Sequence, residues 1–107
     1  MNSLLTINYL NMNRLDSTDS LIKSEFTLLN KQYQLIKSCL VSVANVDYLP
    51  KFGSCYQVGI NLKIQPNHSF FVVRDPDFSI QTELVEFVVT DAFKILGRQL
   101  NEIFKIA

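Results

Sequence analysis

Few residues in this chain are of a type and spacing to do covalent or metal chemistry. The single histidine, His68, follows Pro66-Asn67, and two carboxylates, Asp75 and Asp77, flank Pro76. Two carboxylates hold a cation only when further oxygen ligands converge on it, and beside a proline they are ordinary turn residues. His68 reads in the same way, as an exposed turn position. Cys39 and Cys55 are far apart and form no C-x-x-C pair, so they read as reduced thiols filling small apolar spaces rather than as zinc or redox ligands. No G-x-S-x-G, H-E-x-x-H, P-loop or G-x-G-x-x-G pattern occurs, and three glycines are too few for a glycine-rich phosphate cradle. The expectation is a protein that binds rather than catalyses, with no metal and no cofactor.

What remains is electrostatic. Ten Lys and Arg balance ten Asp and Glu, so any basic face must come from segregation of charge. On a helical wheel of about 100° per residue, Lys94, Arg98 and Lys105 fall together, opposite Ala92, Leu96 and Leu100, with Asn101 alongside. In an earlier stretch Lys23, Thr27, Lys31 and Gln34 lie away from Ile22, Phe26 and Leu29, and Lys37 follows. Asp91 stands beside the second stripe, with Asp19 and Glu102 toward the margins. Such stripes suit contacts to phosphates, and a merely solvated helix face accounts for them equally well.

Positioning these stripes requires a packed core, and 48% hydrophobic against 19% charged residues in 107 supply one. The length predicts a single domain over 1–107. No run approaches the ~18 apolar residues of a membrane span, and the first residues lack a signal-peptide pattern, so the predicted location is cytoplasmic. Leu5 to Tyr9 alternates as a strand does. Asp16, Ser17 and Thr18 are good helix caps, and apolar residues at helical spacing predict a helix from residue 18 to about 36. Cys39 to Ala44 predicts a second strand. Tyr56 to Ile64 predicts a third by strict alternation, and Pro66-Asn67 turns the chain into a fourth at Ser69 to Val73. Thr82 is placed to cap a second helix whose first turn holds Glu83 and Glu86. The fold class is therefore α+β, in the order β-α-β-β-β-α, with two helices on one face of a four-stranded sheet. This layout resembles double-stranded-RNA-binding domains.

A further resemblance rests on residues in order along nearly the whole chain. These are Asn11-Met12 closing the first strand, Ser38-Cys39 opening the second, Tyr56 to Leu62, Arg74-Asp75-Pro76, and Asp91-Ala92-Phe93 followed by Arg98-Gln99-Leu100. Together they look like the pattern of the ribosome hibernation-promoting factors, also described as ribosomal-subunit-interface proteins. The resemblance implies a translation inhibitor that binds the small ribosomal subunit and its ribosomal RNA through basic residues on both helices. Carried onto this chain, the candidates are Lys23 and Lys31 on the first helix and Lys94 and Arg98 on the second. Arg98 matches a basic position of the family pattern, Lys94 rests on the helical wheel, and Lys105 on the stripe alone. It also implies a short form, the chain ending after the second helix, and first and second strands that run parallel.

The sequence departs from that pattern at Leu21, Leu28, Leu35 and Gly97, where the family often carries basic side chains. The three leucines stand at seven-residue spacing beside the core face of the first helix. Such a line is expected to pack against the second helix. Exposed, it would be a surface for another protein or for a homodimer, and the chain would be an interaction module with reduced RNA binding.

Overall fold

The computed structural model describes residues 4–46, 55–76 and 83–104. The elements follow the expected order: β1 (Leu5–Leu10), α1 (Asp16–Gln32), β2 (Ile36–Asn45), β3 (Tyr56–Ile64), β4 (His68–Arg74) and α2 (Val85–Phe104). The strands make one sheet in the order β1-β2-β3-β4. β1 runs parallel to β2, with Leu5 opposite Cys39 and Leu10 opposite Ala44, and α1 is the crossover that a parallel pair needs. β2 with β3 and β3 with β4 are antiparallel. Asn11 ends β1 with φ at 57°, a left-handed conformation that asparagine tolerates better than branched side chains do.

Alternation sorts the sheet into two faces. Val58, Ile60, Leu62 and Ile64 of β3 are buried, together with Cys39, Val41, Val43 and Val72 on the same side. Ile22, Phe26 and Leu29 of α1 and Val88, Val89, Ala92, Leu96 and Leu100 of α2 join them in one core, so both helices cover one face. The helices lie side by side and point the same way. Ser17 Oγ donates to Glu86 Oε1 at 3.4 Å near their starts, and the Tyr33 and Phe104 rings are 5.9 Å apart near their ends.

Helix α1 departs from expectation at both ends. It begins at Asp16 after Leu15, which makes no side-chain cap bond. Thr18 does not cap it either; the residue is fully buried, and its Oγ1 has no partner. At the other end α1 stops at Gln32 rather than near residue 36. Tyr33 is already extended, although its N–H still bonds the Leu29 carbonyl at 2.8 Å. Ile36 opens β2 opposite Ile64. Both side chains are buried, so apolar spacing continues past the point where the backbone changes. An irregularity between Ile36 and Ser38 then leaves Lys37 and Ser38 both exposed. Glu83 precedes α2 rather than sitting in its first turn, Glu86 is in that turn, and Thr82 lies outside the described residues.

Candidate nucleic-acid interface

Lys23 and Lys31 are exposed on α1, and Lys94 and Arg98 are exposed on α2, all on the helical layer of the domain. Lys105 lies outside the described residues. Among the described residues no salt bridge engages Lys31, Lys94 or Arg98, whereas Lys23 Nζ is 3.1 Å from Asp19 Oδ2. Lys23 therefore has an internal partner, and the other three have no carboxylate partner among the described residues.

Asp19 is the centre of a cluster that spacing alone did not reveal. The residue is 6% exposed. Its Oδ1 accepts from the Tyr9 hydroxyl at 3.2 Å, and its Oδ2 accepts from Arg14 Nη2 at 3.3 Å as well as from Lys23. Burial works to raise the carboxyl, but the hydrogen bonds from Lys23 and Tyr9 and the charge of Arg14 outweigh it and hold Asp19 below its ordinary value. Burial, and then the Asp19 charge, push the Tyr9 hydroxyl up to about 12. The cluster borders an open groove of about 610 Å³ between α1 and β1, floored by Leu5, Ile7 and Phe26.

A second cluster surrounds Arg74 at the end of β4. Its Nε donates to Asp91 Oδ2 at 2.7 Å and its Nη2 to Glu83 Oε2 at 2.8 Å, while Nη1 reaches the Asp75 carbonyl. The Arg74 and Glu83 side chains are 16% and 6% exposed. Hydrogen bonds first from Glu83 and then from Asp91 raise the arginine pKa further. Asp91 beside the α2 stripe thus spends its charge on tying α2 to the sheet.

The residues considered for covalent or metal chemistry have structural surroundings. His68 is exposed and begins β4, with its ring 5.3 Å from that of Phe104 in an edge-on arrangement. Asp75 accepts from Gln57 Nε2 at 2.7 Å, and Asp77 lies outside the described residues. Cys39 and Cys55 are free and buried, and burial pushes the Cys39 thiol up to about 12, which makes it a poor nucleophile at neutral pH. Among the described residues, no group of three His, Cys, Asp or Glu is arranged to hold a metal ion. None of the described helices is long and apolar enough to cross a membrane.

The leucine line does not pack as expected. Leu21 is half-buried against the core, but Leu28 and Leu35 are 63% and 58% exposed. Leu35 lies beyond the end of α1, which removes it from the helical register. Leu28 stays outside the seam between the helices. Gly97 adds no side chain to α2, and a Cβ built there would meet nothing within 4 Å.

No protein-family model matches the chain, and no curated protein matches its sequence. Its fold is similar to a solved ribosomal subunit interface protein from Coxiella burnetii, at 11% identity and a TM-score of 0.74, covering 95% of this chain and 98% of that one. It is also similar to the N-terminal domain of Protein Y from Thermus thermophilus, at 14% identity and a TM-score of 0.68, covering 96% and 99%. At these identities the likeness establishes a shared fold over nearly the whole length of each chain.

Proposed function

We propose that this chain is a ribosome-associated translation inhibitor of the hibernation type, acting in the cytoplasm by binding the small ribosomal subunit. Its helical layer would lie against ribosomal RNA, with Lys31, Lys94 and Arg98 as the principal phosphate contacts and Lys23 and Lys105 as flanking ones. The observation that carries this reading is the exposure of Lys31, Lys94 and Arg98 on two adjacent helices without a carboxylate partner among the described residues. The fold shared with a ribosomal subunit interface protein supports it. Contacts of this kind position a protein on RNA by charge and shape rather than by base sequence.

The test is co-sedimentation with purified small subunits over a salt series. For Lys94→Ala/Arg98→Ala the slope of log affinity against log salt should flatten by about one unit per lost contact, or slightly less on flexible RNA. Thermal stability should stay within about 0.5 kcal/mol of the parent, because both positions are exposed. Binding equal to that of the parent at physiological salt would reduce the stripes to a solvated face. The second reading, an interaction module with reduced RNA binding, is favoured by the exposure of Leu28 and Leu35. It predicts that changing Leu28 disrupts a protein complex and leaves subunit binding intact.

A further inference from the structure

Two lysines and the single histidine gather at the hairpin end of the sheet, and the backbone there is irregular. Between Ile36 and Ser38 β2 takes two steps, while β3 takes one between Ile64 and Lys63. Lys37 is the extra residue, as in a β-bulge, and bulges often re-aim a side chain beside a functional site. Strict alternation back from buried Cys39 would turn Lys37 toward the core. The extra residue instead leaves Lys37 and Ser38 both exposed. Lys63 stands opposite Ser38 on one side and Ser69 on the other, exposed between buried Leu62 and Ile64.

With Asn67, His68 and Ser69 the two lysines line a hollow of about 50 Å³ bordered by no carboxylate and no arginine. Small-molecule pockets run to roughly 300–1,000 Å³, so the hollow suits one group of a larger ligand. Among the described residues no salt bridge engages Lys37 or Lys63. A lysine ammonium is a compact point charge that holds a phosphate oxygen from any direction, whereas a planar carboxylate is matched best by the arginine fork. His68 adds an aromatic surface. The residue is exposed, and its ring lies 5.3 Å from that of Phe104 and 6.5 Å from that of Phe70. Phe70 and Phe104 are themselves 6.2 Å apart, and Tyr33 backs Phe104 at 5.9 Å. An exposed ring held by other rings, beside two lysines, matches an unpaired nucleotide: phosphate to ammonium, base to ring.

We propose that the hairpin end holds a nucleotide of single-stranded RNA, with its phosphate between Lys37 and Lys63 and its base stacked on the His68 ring. The site rests on the RNA reading for the class of its partner, yet it uses none of the contacts assigned to the helices. An acidic peptide would satisfy the lysines and leave His68 idle. A duplex would offer phosphates but keep its base faces covered by its own stacking, so the strand is unpaired. Every base has a face to stack and every phosphate the same charge, so the site tolerates any sequence.

Titration of the intact protein with an adenosine tetranucleotide, its affinity read from the amide NMR shifts of Lys37, Lys63 and His68, tests this. Lys37→Ala/Lys63→Ala should weaken binding about tenfold at low salt and flatten the slope of log affinity against log salt by about 0.7 per lost contact. His68→Ala should weaken it about fivefold or more, and His68→Phe should restore it, because a phenyl ring stacks any base. Circular dichroism should be unchanged throughout, all three positions being exposed. An abasic strand with the same phosphates should bind the parent no better than the tetranucleotide binds His68→Ala. Inorganic phosphate should move the lysine amides and leave His68 in place. Hairpin amides that do not respond to the tetranucleotide, or an oligoglutamate of equal charge that binds as tightly, would overturn the proposal. Lys94→Ala/Arg98→Ala should leave the affinity at these amides unchanged, so the hairpin site and the helical contacts stand or fall separately.

Discussion

Arg74 and Asp91 meet at 2.7 Å across the space between the end of β4 and the second turn of α2, with Glu83 closing the other side of the guanidinium. The guanidinium bridges two carboxylates, so the cluster keeps one net negative charge, and the Arg74–Asp91 pair anchors the helix that carries Lys94 and Arg98. Removing Arg74 takes its two hydrogen bonds away from the Glu83 carboxylate, which is nearly out of water. Arg74→Ala should therefore lower unfolding free energy by about 3–5 kcal/mol, and Asp91→Ala by clearly less, because Asp91 is 42% exposed. Urea denaturation of the two variants checks the order, and equal losses would show that Glu83 does not depend on the arginine.

Asp19 gives the acid limb of stability. Its folded pKa is below its ordinary value of 3.8, so its contribution is present above pH 3.8 and is lost as pH falls through the lower folded value. Asp19→Asn should be less stable than the parent at pH 7 and should flatten the decline below pH 4. An acid limb of the same steepness in the variant would remove Asp19 from the account.

The alkaline limb has the opposite sign. Cys39 is raised from 9.0 and Tyr9 from 10.0, both to about 12, so the fold holds protons that the unfolded chain releases. Stability from these groups is complete below pH 9 and falls from there to about pH 12. Tyr9→Phe should shallow the decline between pH 10 and 12, read as the urea midpoint against pH.

Thr18 is fully buried with no partner for its hydroxyl. Thr18→Val keeps the shape and removes the stranded oxygen, and should stabilise the protein by about 1–2 kcal/mol. A lower thermal midpoint would mean that the hydroxyl has a water or a carbonyl to bond.

Leu28 and Leu29 are sequence neighbours with opposite fates, 63% and 8% exposed. Leu28→Ala should change stability by less than about 0.5 kcal/mol, whereas Leu29→Ala should cost about 2–5 kcal/mol. Comparable losses by thermal denaturation would place Leu28 inside a helix seam after all.

These contrasts mark what a sequence can and cannot carry. Tyr56 to Ile64 was legible to both ends, because alternation records a sheet with one covered face and Pro66 follows at once. The end of α1 was not, because Tyr33 and Ile36 keep helical spacing while belonging to a turn and a strand. Lys23, Lys31, Lys94 and Arg98 could be placed on exposed helix positions, since a wheel needs only local geometry, whereas Gln34 and Lys37 fall beyond the end of α1. Arg74 could not, because Glu83 and Asp91 reach it only once α2 has docked on the sheet. Leu28 misled for a related reason: periodicity gives a direction on the helix, but not how closely the neighbouring helix approaches.

The parallel run of α1 and α2 has an electrical consequence. Asp16, Asp19, Glu86 and the Arg74 cluster gather at the end where both helices start. Lys37 and Lys63 line the opposite end with His68, whose ring meets Phe104, and Lys31 lies in the last turn of α1. Among the described residues, charge is thus set against the dipoles of the helix backbones, with acidic groups at the positive starts of both helices and Lys31 at the negative end of α1. Each such placement steadies a helix end, and added salt should erode that support.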